Sequence, residues 1–164
     1  MKTALILAAL FLVSASSQAQ SLLGKQSLKG LQAFEVVIEE VSTNEARPQL
    51  KREDLITEAE LTLRTAGVRV VTRDETHRTK AGAWIAITVT TIVRPTLKVR
   101  AVSISLEVWQ RVILVGSSER DVAITYRTPG IVGMVEIDNI DNIHKALKGQ
   151  IDIFLNDYLA MNPK

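Results

Sequence analysis

The sequence predicts an α+β fold: a two-layer sandwich in which a mixed or mostly antiparallel sheet of four to six strands carries two helices on one face. Three observations carry this expectation. Residues 83–115 hold two long runs of β-prone residues alternating at period two, joined by a turn at Arg94-Pro95-Thr96. Residues 51–66 and 138–158 each hold an apolar stripe at spacings of three and four, the period of a helix with one buried face. Shorter β-prone runs at 31–41, 68–72 and 122–126 supply the remaining strands.

The chain opens with Lys2, an apolar run from Ala4 to Val13, and the small residues Ser17 and Ala19 at the positions a signal peptidase reads. The apolar run is too short to span a bilayer, which takes about twenty residues. The expected organisation is a signal peptide over 1–19 cleaved after Ala19, a flexible lead-in over 20–30, and a single domain over 31–164. The mature protein is then periplasmic or secreted, with no transmembrane helix. The chain has no cysteine, which argues against disulfides, thiolate metal sites and an amino-terminal lipid anchor. Its one leader charge is Lys2; the remaining Lys and Arg nearly balance the 18 Asp and Glu. Such balance does not point to nucleic acid as a partner.

In the first strand Phe34, Val36 and Ile38 share one face and Glu35, Val37 and Glu39 the other. Asn44 and Pro48 break the chain before the first helix. Leu55, Ile56, Ala59, Leu63 and Ala66 form that helix's stripe. Glu53 and Asp54 suit its amino-terminal dipole, and Gly67 falls where a left-handed cap is wanted. A charged loop over 73–80 follows the short strand. It gathers Arg73, Arg78 and Lys80 close to Arg69, a candidate anion site.

In the central hairpin Ile85, Ile87 and Val89 face one side, and so do Ile104, Leu106 and Val108. Antiparallel partners share a face, so Trp84 and Trp109 lie together on the opposite one, with Thr88, Thr90, Ser103 and Ser105. After the turn at Gly116-Ser117-Ser118 and the strand over 122–126, residues 128–135 read as a loop because of Pro129, Gly130 and Gly133. That loop is unusually apolar, with Ile131, Val132, Met134 and Val135. Asp138 and Asn139 offer caps for the last helix, whose stripe is Ile140, Ile143, Leu147, Ile151, Phe154 and Tyr158.

No nucleophile elbow, phosphate loop, dinucleotide fingerprint or zinc-protease motif is present. His77 and His144 are expected as solvated side chains rather than metal ligands. The acidic pair Glu39-Glu40 points to opposite strand faces and cannot share a proton, while the acids at the helix starts serve as caps. Catalytic residues, metal and cofactor are therefore expected to be none, and the protein is read as non-enzymatic.

The stretch LITEAELTLRTAGVRVV, a helix running through Ala-Gly into a strand, resembles small bacterial envelope proteins. Its element order is similar to the lipopolysaccharide-assembly lipoprotein of the outer-membrane translocon and to the amino-terminal domain of the TolB translocation protein. The closing FLNDYLAMNPK is also similar to secreted bacterial proteins of unassigned function. The resemblance implies a binding or adaptor protein in envelope assembly or maintenance, with an envelope protein or amphiphilic ligand as partner. A lipid carrier is the alternative, and a hydrolase with an unflagged site the second. The partner-binding candidates are Trp84, Trp109, Thr88 and Ser105 on the sheet face, with Ile131 and Met134 on the apolar loop. Export makes a direct test possible. Ala19→Arg should block processing, because the peptidase needs a small side chain there. The mature mass in the native host should begin at Gln20, and full-length protein recovered from its cytoplasm would refute the expectation.

Overall fold

A computed structural model of the chain describes residues 24–43 and 50–163. The elements in order are β1 (Ala33–Thr43), α1 (Arg52–Thr65), α2 (Arg73–Arg78), β2 (Gly82–Arg94), β3 (Val99–Ile113), β4 (Arg120–Arg127), β5 (Ile131–Glu136) and α3 (Asp141–Met161). A 3₁₀ turn, Pro95–Leu97, joins β2 to β3, and Lys98 closes it in the left-handed region. The sheet is mixed and five-stranded, in the order β1-β2-β3-β4, with β5 also on β3. β1 and β2 run parallel, a pairing that needs the crossover which α1 and α2 supply. Among the described residues, the other strand pairings, β2–β3, β3–β4 and β3–β5, are antiparallel. The fold is an α+β sandwich with α1 and α3 on one face of the sheet.

Parity explains the layering. Phe34, Val36 and Ile38 of β1, Ile85, Ile87 and Val89 of β2, and Ile104, Leu106 and Val108 of β3 all point to the helical side and are buried. They meet Leu55, Ala59 and Leu63 of α1 and Ile143, Leu147, Ile151 and Phe154 of α3. Aromatic edges key the layers together: the Phe34 ring lies 5.5 Å from Phe154 and 5.3 Å from Tyr158, both edge-on. α1 stops where its sequence says it should. Gly67 takes φ +84°, its N–H donates to Arg64 O, and Val68 N–H donates to Leu63 O. The buried Val68 then seals the cap against the core.

Four local expectations are corrected. The strand over 68–72 is a single parallel bridge between Val70 and Phe34. The charged loop over 73–80 contains α2. The apolar loop over 128–135 contains β5, because it continues β4 along β3 after one extra residue around Thr128-Pro129-Gly130. Thr128 N–H still donates to Leu106 O, so the ladder is bent rather than ended. Residues 24–30, expected as a flexible lead-in, form a helical turn and bend packed on the domain. There Leu28 is fully buried, Ser27 Oγ donates to Thr125 O, and Lys25 pairs with Asp157 at 2.7 Å. The predicted signal peptide and the first part of the lead-in lie outside the described residues. Among the described residues, no helix is long and apolar enough to cross a membrane.

The core predicts its own hierarchy of substitutions. Leu106→Ala should cost about 2–5 kcal/mol in urea denaturation, since Leu106 is fully enclosed. Leu61→Ala, on the solvent side of α1, should stay within about 0.5 kcal/mol of the parent.

Candidate functional site

The sheet face turned away from α1 and α3 is built in transverse rows. One row runs Glu35, Trp84, Trp109, Ile124 across β1, β2, β3 and β4. The next runs Val37, Ala86, Glu107, Arg127, with Arg127 Nη2 2.5 Å from Glu107 Oε1. The two tryptophans are thus direct cross-strand partners, and both are half-buried. They form the floor of a groove of about 630 Å³. Ala86, Val37 and Val122 extend that floor, and Arg52 and Ile56 of α1 with Arg73 and His77 of α2 also line it.

α2 covers one end of the groove, and the sequence fixes it there by three devices. A capping box starts it: Thr72 Oγ1 accepts from Glu75 N–H, and Glu75 Oε2 accepts from Thr72 N–H at 3.0 Å. The hydrogen bond from the Thr72 backbone, then that from its hydroxyl, holds the Glu75 carboxyl below its ordinary range. The cap therefore persists through that range and weakens only as pH falls through the lowered value beneath it. Arg111 of β3 ends the helix, donating to Thr76 O, His77 O and Thr79 O at 2.9–3.2 Å. Gly82 lets β2 approach: a Cβ there would lie 2.5 Å from Thr76 O. The His77 ring then sits edge-on 5.6 Å from Trp84, and the Arg111 guanidinium lies 6.0 Å from the Trp84 ring centre.

Two polar atoms in the groove are shut off from solvent without a hydrogen-bond partner among the described residues. They are Glu35 Oε2, an acceptor, and Trp109 Nε1, a donor. Leaving such a group unmet costs about 1–3 kcal/mol, so each calls for a reason. Among the described residues, no group of three or more His, Cys, Asp or Glu is arranged to hold a metal.

The candidates named from sequence separate into four places. Trp84 and Trp109 line the groove. Thr88 and Ser105 pair with each other on the same face but outside its lining. Met134 is exposed on that face at the sheet edge, whereas Ile131 faces the helical side opposite Ile104. Of the basic cluster, only Arg73 reaches the groove; Arg69, Arg78 and Lys80 are exposed elsewhere. Glu35, Arg52, His77 and Arg111 were not among the candidates. His77 is exposed but packs edge-on against Trp84, and His144 is not simply solvated: its Nδ1 lies 2.5 Å from Glu58 Oε2, bridging α3 to α1.

No family model and no curated protein matches the chain. Two solved structures of PelC dodecamers from Paraburkholderia phytofirmans are distantly similar. One has 14% identity and a TM-score of 0.44, covering 79% of this chain and 90% of that chain. The other has 15% identity and a TM-score of 0.43, covering 79% and 87%. A likeness this distant carries no argument about function.

The clamp on α2 is testable. Arg111→Ala removes three donors from the α2 carbonyls and should cost about 1–3 kcal/mol in denaturation. It should also red-shift indole emission as Trp84 loses its cover. Unchanged emission would show that α2 holds its place without Arg111.

Proposed function

We propose that this protein is a non-catalytic, exported binding or adaptor protein of the cell envelope, and that its partner or ligand occupies the tryptophan groove. One observation supports the reading above the others: the groove holds an unmet indole donor and an unmet carboxylate oxygen beside a broad aromatic floor. A fold that needed this face only for solvent would have no use for two half-covered indoles there. Bound matter that supplies one acceptor and one donor removes both penalties at once, and covering the part of each indole that is still exposed adds further apolar burial. Arg52 and Arg73 give the lining cationic groups that can orient an approaching anionic group.

Trp84 and Trp109 are the only tryptophans in the chain, so its indole emission reports on this groove alone. Fractions of envelope extract should shift that emission, and native mass spectrometry of the shifted complex should identify the bound species. Trp109→Ala and Trp84→Ala should weaken binding about tenfold or more while costing less stability than Leu106→Ala. Equal destabilisation by all three substitutions, with binding unaffected, would dispose of the reading.

A further inference from the structure

The edge of the sheet formed by β4 and β5 carries a second surface, independent of the groove. Among the described residues no strand pairs with its outer side. Native sheets protect such an edge with charges, prolines or cover. β5, Ile131–Glu136, carries no charge and no proline before its last residue. Val132 and Met134 are 83% and 76% exposed. Ile137 N–H donates inward to Lys98 O, so by antiparallel alternation Val132, Met134 and Glu136 direct their backbone N–H and C=O groups outward.

We infer that β5 pairs antiparallel with β5 of a second copy of this chain about a two-fold axis at Val132, making one continuous sheet. The edge is its own complement in that register. Met134 of one copy falls opposite Gly130 of the other, and Ile131 opposite Gly133, so a large side chain meets a bare backbone on both faces. A Cβ at Gly133 would meet nothing within 4 Å, and one at Gly130 only Ile104 O at 3.6 Å, so each glycine leaves room. Across the extra residue at the β4–β5 junction, Glu136 of one copy comes level with Arg127 of the other, on the same face. Arg127 already holds Glu107 through Nη2, and its guanidinium has donors to spare for a second carboxylate. Moving the axis to Gly133 puts Glu136 opposite Gly130 and sets Met134 against Val132, which loses the charge pair and both small-to-large matches. An extended segment of another protein would gain the same backbone bonds but none of these reciprocal matches. A six-residue edge is a small interface, which places its affinity in the weak range.

Sedimentation velocity of the purified chain, from micromolar to millimolar concentration, should show a reversible monomer–dimer equilibrium. Val132→Lys should abolish it. Arg127→Glu and Glu136→Arg should each weaken self-association by about tenfold or more, because each creates two like-charge pairs across the axis. An equimolar mixture of those two variants should dimerise again, since the heterodimer restores two opposite-charge pairs. None of these positions lines the tryptophan groove, so indole emission should stay as in the parent. A parent chain that is monomeric throughout overturns the inference, and so does a dimer that survives Val132→Lys. Charge variants that associate like the parent, or a mixture that stays monomeric, overturn it equally. If Arg127→Glu fails to fold through the loss of its Glu107 partner, Glu136→Arg and Val132→Lys decide the matter, and both must dissociate the dimer.

Discussion

The ladder between β2 and β3 is the constraint on which the rest depends. Its register pairs Ile87 with Leu106 and Trp84 with Trp109, without a shift along its length. Side chains alternate at a period of two, so sending Ile85, Ile87, Ile104 and Leu106 to the helical core leaves no choice for the indoles. A slip of one residue between the two strands would set Trp109 opposite Ile85, so one strand's indole would turn toward the core and its aliphatic residues away from it. The groove is therefore a consequence of the core. Its floor cannot be moved by any change that leaves the hydrophobic layer intact.

The groove's shape, by contrast, depends on polar and local devices. α2 is too short to persist by its own hydrogen bonds, and only Thr76 of its six residues is buried. It is held by a cap at each end and by a glycine beneath it. Arg111 serves two purposes through one planar group: its N–H donors meet the orphaned carbonyls of α2, and its guanidinium lies beside the Trp84 ring. Arg111 shares the groove lining with Glu35 and Trp109, whose Oε2 and Nε1 are unmet. Such atoms are rare inside folded proteins because they oppose folding, so their presence together on one concave face is the physical basis for reading it as a place where something binds.

What the sequence revealed follows the strength of each periodic signal. The β2 and β3 runs alternate cleanly over many residues, so their pairing and the shared face of Trp84 and Trp109 were legible. α1 was legible from its stripe and from Gly67. β5 was hidden because Ile131, Val132, Met134 and Val135 are apolar on both faces, which erases alternation, and because Pro129 and Gly130 read as loop signals while they serve as a bulge. α2 has no apolar stripe, yet Thr72-x-x-Glu75 is a capping-box pattern that marks a helix start. Glu35 was legible as facing away from the core. Its place beside Trp84 depends on β1 lying parallel to β2, and strand order rests on contacts far apart in sequence. Residues 24–30 looked loose because their anchors, Asp157 and Thr125, lie far along the chain.

The groove and the edge belong to the same face by geometry. Residues paired across a continuous antiparallel sheet point to the same side, so a two-fold axis through Val132 must stand perpendicular to the sheet. Both copies then turn their tryptophan rows in one direction and their α1–α3 layers in the other. Val132 and Met134, exposed on the groove side of β5, become the centre of a single extended surface with a groove on each flank. In that dimer the two grooves would be held on one sheet and would act as a bivalent unit. The second contact is then made at the high effective concentration set by their spacing, provided the partner presents two matching features at that distance.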